Sequence, residues 1–154
     1  MESKKEVPFL TKEEIEAGIS KGLEKYKDLG FMERYAMYMG VAQIFELELK
    51  NLLSDKFEYD FDKMEKWTLG ITYKELEKNK LRSDFLILLK NTVENRNYIA
   101  HEIIANKLLF HRIVGDSMPD KHYDKESRRL DKCIIELEQI VFLFEWTNLN
   151  NGWD

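Results

Sequence analysis

Apolar residues recur at intervals of three and four along nearly the whole chain, and that spacing permits little besides helix. Ile15, Ile19, Leu23 and Tyr26 make one stripe. Phe31, Tyr35, Tyr38, Ala42, Phe45, Leu49 and Leu52 make a longer one, predicted to run to about Ser54. Phe85, Leu88, Leu89, Val93, Ala100, Ile103 and Ile104 define a helix from near Ser83 to beyond Asn106. Leu130, Ile134, Leu137, Val141 and Phe144 define the last, from about Tyr123 to Thr147.

Local signals punctuate this pattern. In Thr11-Lys12-Glu13-Glu14 and Thr72-Tyr73-Lys74-Glu75 a threonine can cover a free N–H while the glutamate reaches back. The second box is expected to open a short helix through Leu76. Gly30 is placed for a left-handed cap after the first helix. From Asp55 to Lys66 the stripe breaks, and the alternating acids and aromatics there read as a loop anchored by its rings, with 115–120 as another loop. The expected fold is all-α, an antiparallel helical bundle of four long helices plus a short one. A length of 154 residues suits a single domain, 1–154 with a core at about 11–147. The first few residues and 148–152 are expected to fray.

Composition excludes several classes. At 44% hydrophobic with 7 Gly and 2 Pro, the chain is neither collagen-like nor disordered. Cys133 is the single cysteine, which rules out a disulfide framework or a Cys-based zinc cluster. On the apolar face of the last helix it reads as a packed structural thiol. The N-terminus lacks an apolar signal core and no run approaches the roughly 18 apolar residues of a membrane helix, so no membrane partner and a reducing cytoplasm are expected. Twenty-four basic residues against 29 acidic ones give a net charge of -5, which disfavours a general nucleic-acid binder. A small local cationic site remains compatible with it.

The histidines are His101, His111 and His122. His101 and His111 stand ten apart, too far along one helix to share a metal. There is no His-Glu-x-x-His pair, no Gly-rich phosphate loop and no Gly-x-Ser-x-Gly elbow. Neither a metal nor another cofactor is expected.

Glu94-Asn95-Arg96-Asn97-Tyr98-Ile99-Ala100-His101-Glu102 interrupts a helix otherwise rich in Leu, Ile and Val. Asn is a poor mid-helix residue because its side chain competes for the backbone. On a regular helix Glu94, Asn97 and His101 fall within about 60°, one polar stripe, whereas Arg96 lies about 140° from His101. Arginine's long stem, a local distortion or a second copy of the chain would be needed to unite them. A buried polar network, with Arg96 paired to a carboxylate and His101 bonded to a carbonyl, is the structural alternative.

Arg96-Asn97-Tyr98-Ile99-Ala100-His101 resembles the signature of HEPN domains, an Arg, four to six residues and then a His, commonly with a polar residue directly after the Arg. Trp67-Thr68-Leu69-Gly70 resembles the segment before the motif helix in many prokaryotic members, and Phe45-Glu46-Leu47-Glu48-Leu49-Lys50 their long second helix. The resemblance covers roughly residues 31–147. It implies a metal-independent endoribonuclease acting as a homodimer through facing motif helices, often a toxin with an antitoxin protein partner or an effector of phage defence.

The chemistry suits these residues. Attack by the adjacent 2′-hydroxyl of RNA needs a group that moves protons near neutral pH, and His101 can do so. Arg96 offers a planar fork to the charge building on phosphorus. Asn97, about one turn before His101, can orient its ring or a phosphate. Glu94 and Glu102 can fix the imidazole tautomer. Lys107, Arg112, Arg128 and Arg129 can line an RNA path with Tyr98 as a stacking surface, although interleaved acids make a mixed charged face the plainer reading of Arg128-Arg129. The competing expectations are a non-catalytic HEPN-like module that binds a protein or nucleotide, and a structural bundle in which the motif is coincidence.

Overall fold

In a computed structural model, which describes residues 9–114 and 120–153, the chain folds as helix after helix, and among the described residues there is no strand. The fold is all-α. Helix α1 (Lys12–Leu23) opens on Thr11, whose hydroxyl accepts the Glu14 N–H at 3.2 Å. A 3₁₀ turn, Glu24–Tyr26, follows it. Asp28, not Gly30, takes the left-handed conformation (φ 65°); Gly30 is extended (φ -69°) and caps the N-terminus of α2 (Phe31–Phe57). Asparagine and aspartate tolerate that region because a short polar side chain can bond locally.

The long stripe continues three residues beyond Ser54, until Glu58 turns left-handed (φ 60°) and ends α2. The segment expected as a ring-anchored loop holds a 3₁₀ turn, Phe61–Met64, with Met64 fully buried and Tyr59 set edge-on to Trp67 at 6.0 Å. Helix α3 (Leu69–Lys78) is capped four residues before the expected position. Thr68 makes the cap by accepting the Ile71 N–H, and Thr72, fully buried, donates its hydroxyl to the Thr68 carbonyl. Glu75 does not reach back, because Tyr59 and Lys78 both donate to it.

Helix α4 (Ser83–Tyr98) runs through a π-helical stretch, Ile99–Ile103, into α5 (Ile104–Val114). Helix α6 spans Asp120–Leu149, starting earlier and ending later than its apolar stripe suggests. The loop expected at 115–120 lies, Asp120 apart, outside the described residues, as do the first few residues. The expected fraying at 148–152 is overturned. Gly152 donates to the Thr147 carbonyl at 2.8 Å and accepts from Arg82, and the next residue, Trp153, is 7% exposed against Phe85 and Phe144. One indole buries enough apolar area to hold a polar tail in place.

Helix α6 is the common partner, packing against α1, α2 and α4, while α3 bridges α2 and α4. Leu130, Ile134, Leu137, Ile140 and Phe144 of α6 meet Tyr38, Phe45 and Leu49 of α2 and Leu89 of α4 in one buried cluster. The α1 seam is different, since α1 buries no residue of its own. Gly18 lies under the Phe142 ring and Gly22 under the Glu138 carboxylate, so closely that a Cβ at either position would overlap them. Lys25 then pairs with the buried Glu138, and its Nζ also donates to the Gly22 carbonyl at 2.8 Å. Among the described residues no helix is long and apolar enough to cross a membrane.

Candidate functional site

Helix α4 is fastened on one side by Phe85, Leu89 and Thr92, which are buried, and the π stretch continues that seam with Ile99 and Ile103. A second stripe, Asn91, Asn95 and Tyr98 at i, i+4 and i+7, faces α6. Asn91 and Asn95 both donate to Oε2 of Glu136, the former at 2.7 Å. Tyr98 donates its hydroxyl to Oε2 of Glu126 at 2.8 Å, and the Arg129 guanidinium lies 3.7 Å from the centre of its ring. Burial and then the Glu126 carboxylate hold the Tyr98 hydroxyl above its usual range.

The two asparagines beside Arg96 therefore part company. Asn95 is half-buried and structural, joining two helices through a shared carboxylate. Asn97 is exposed, and so are His101, Glu94 and Glu102. Neither Asn97 nor His101 has a hydrogen-bond partner among the described residues. His101 is not bonded to a carbonyl there, and no carboxylate among the described residues pairs with Arg96. A closed polar network, the structural alternative, accounts for Asn95 and Tyr98 but not for Arg96, Asn97 or His101.

Arg96 is half-buried and lies near Tyr38 of α2. Tyr38 is fully buried, its hydroxyl has no hydrogen-bond partner among the described residues, and burial raises its pKa while the Arg96 charge works in the opposite direction. Arg96 is thus half-buried where His101 faces solvent, in keeping with their divergence on a regular helix. The π stretch narrows that divergence. An i→i+5 turn advances fewer degrees per residue than an α-turn, so a widening that starts at Ile99 swings His101 back toward Arg96 from the roughly 140° of a regular helix. The segment contains neither glycine nor proline, so the widening is not a breaker effect. Single π turns inside α-helices occur frequently at functional sites.

The other basic and nucleophilic candidates separate clearly. Cys133 is buried and its thiol is pushed up to about 11, chiefly by burial, which suits packing rather than reaction. Arg112 and Arg129 are exposed; the side chains of Lys107, His111 and His122 lie outside the described residues. Arg129, read from sequence as one charge among many, is instead stacked on a residue of the motif. The signal that could have found it is the i, i+3 pair Glu126 and Arg129, acid and base one turn apart on a helix facing a tyrosine. Among the described residues no group of three or more His, Cys, Asp or Glu side chains is gathered for a metal. No family model, curated protein or solved structure matches the chain.

Proposed function

We propose that the chain is a HEPN-type endoribonuclease that cleaves RNA by attack of the adjacent 2′-hydroxyl. His101 transfers the proton, Arg96 stabilises the phosphate and Asn97 orients one of them. The observation that carries this reading is the state of the motif. Asn97 and His101 stand exposed without partners, Arg96 without a paired carboxylate, all among the described residues and on a helix widened where His101 sits. A structural network spends its polar groups on one another; these remain available to a ligand.

Because Arg96 and His101 diverge, two chains crossing at a two-fold axis would complete the site, and such an interface is self-complementary. Leu108 and Leu109, about 60% and 59% exposed two turns beyond His101, supply apolar surface for it on the same helix run. The toxin or defence role, with an antitoxin partner, follows from the family resemblance and belongs to the same proposal.

The test is direct. Purified protein should cleave single-stranded RNA in EDTA, leaving 2′,3′-cyclic phosphate and 5′-hydroxyl ends. His101→Ala should lose at least about a hundredfold, the scale of a general acid–base group. Strict dependence on a divalent metal, or full activity in His101→Ala, would end the proposal.

A further inference from the structure

Arg129 shares its surroundings with the motif without belonging to it. Its guanidinium carbon is 3.7 Å from the Tyr98 ring centre, a distance at which the planar group lies face-on. Stacking uses the face of a guanidinium and leaves its N–H donors in the plane, directed sideways. Those donors have no carboxylate partner among the described residues, and the residue is exposed. Tyr98 is itself fixed, since its hydroxyl is tied to Glu126 at 2.8 Å on the same helix as Arg129. Tyr98 precedes His101 by three residues, about 4.5 Å along a helix axis.

We propose that Arg129 is a phosphate-binding residue of the motif site, held in position by Tyr98, so that single-stranded RNA crosses the junction of α4 and α6. This rests on the RNA-cleaving reading above. It changes the part that Tyr98 plays. One face of the ring is occupied by Arg129, so the tyrosine orients a cation instead of offering that face to a base. It also bears on the charge problem, because a chain of net charge -5 attracts RNA only where cations are concentrated, and Arg129 sets an exposed cation on the motif residue Tyr98. A preorganised fork facing a phosphate forms charge-assisted bonds without first losing its rotamer freedom.

The experiment measures cleavage of a labelled single-stranded oligoribonucleotide by the full chain over a range of salt. The His101→Ala background supplies binding without turnover. Arg129→Ala should raise KM about tenfold or more, with the loss falling in KM rather than kcat. The slope of log affinity against log salt should fall by about one phosphate contact. Tyr98→Leu should move both quantities the same way, and adding Tyr98→Leu to Arg129→Ala should cost little more, since the two act as a unit. Arg129→Lys should keep the salt slope but not the full affinity. If Arg129→Ala merely lowers the melting temperature and leaves KM and the salt slope as in the parent, Arg129 is a structural clip and the inference is wrong. That result differs from failure of the underlying reading, in which the parent protein neither binds nor cleaves RNA and both ideas fall together.

Discussion

Helices α1 and α4 both lie against α6, yet they are attached by opposite means. Helix α1 buries none of its own residues and relies on two glycines that admit Phe142 and Glu138, closed by the Lys25–Glu138 pair. Helix α4 buries Phe85, Leu89 and Thr92 and adds side-chain bonds from Asn91, Asn95 and Tyr98. The α1 seam depends on backbone shape and on one ion pair to a buried carboxylate. The α4 seam is secured so fully that the opposite side of the helix can carry Asn97 and His101 exposed. Redundant anchoring of one face leaves the polar side chains of the other uncommitted.

The sharpest way to break this contrast is to add one carbon to the α1 seam. Gly18→Ala places a Cβ inside the van der Waals shell of the Phe142 ring. Either the ring or α1 must move. Overpacking of this kind costs about 2 kcal/mol, roughly 4–8 °C in melting temperature for a domain of this size. Differential scanning calorimetry reads it, and an unchanged midpoint would mean that α1 is not seated on α6 in solution.

A smaller effect separates the two asparagines beside Arg96. Asn95→Ala removes one of the two amide donors to Glu136 but leaves Asn91 and a Lys132 ammonium at 3.9 Å, so the expected loss is about 1 kcal/mol of stability. Asn97→Ala is exposed and should leave stability within about 0.5 kcal/mol, while lowering RNA cleavage. Urea titration of both variants beside their cleavage rates makes the comparison. The assignment is reversed if Asn97 carries the stability and Asn95 the activity.

How far these roles could be read in advance depended on the scale of the signal. Helix positions were legible because periodicity is a property of the chain itself, and the Thr11 cap followed from local chemistry. Thr68 and Thr72 were confused since both precede helix-compatible residues, and only the burial of Thr72 against the core decides between them. Trp153 was overlooked behind the polar 148–152 segment, because its partner Phe85 is remote in sequence. The candidate site was legible as residue types, Arg96, Asn97 and His101. Which asparagine is structural was not, because that depends on Glu136 lying opposite. The π turn carries no residue signature of its own, so the angle between Arg96 and His101 could be drawn only on a regular helix.

The mildest expected change is also of opposite sign. Gly40 lies in the interior of α2 in ordinary helical conformation, and a Cβ added there meets nothing within 4 Å. Glycine in a helix interior costs roughly 0.5–1 kcal/mol relative to alanine, through the freedom it retains in the unfolded chain. Gly40→Ala should therefore stabilise the protein by about that amount, where Gly18→Ala destabilises it. The surrounding face also bears Met32, Ile44 and Leu47, which are 54%, 61% and 49% exposed. If that face is open to solvent, thermal stability rises and the mass measured by light scattering stays as in the parent. If another helix covers it as closely as α6 covers Gly18, the added carbon would be resisted. The variant would then lose stability or dissociate, and the contrast between the two glycines would belong to the isolated chain alone.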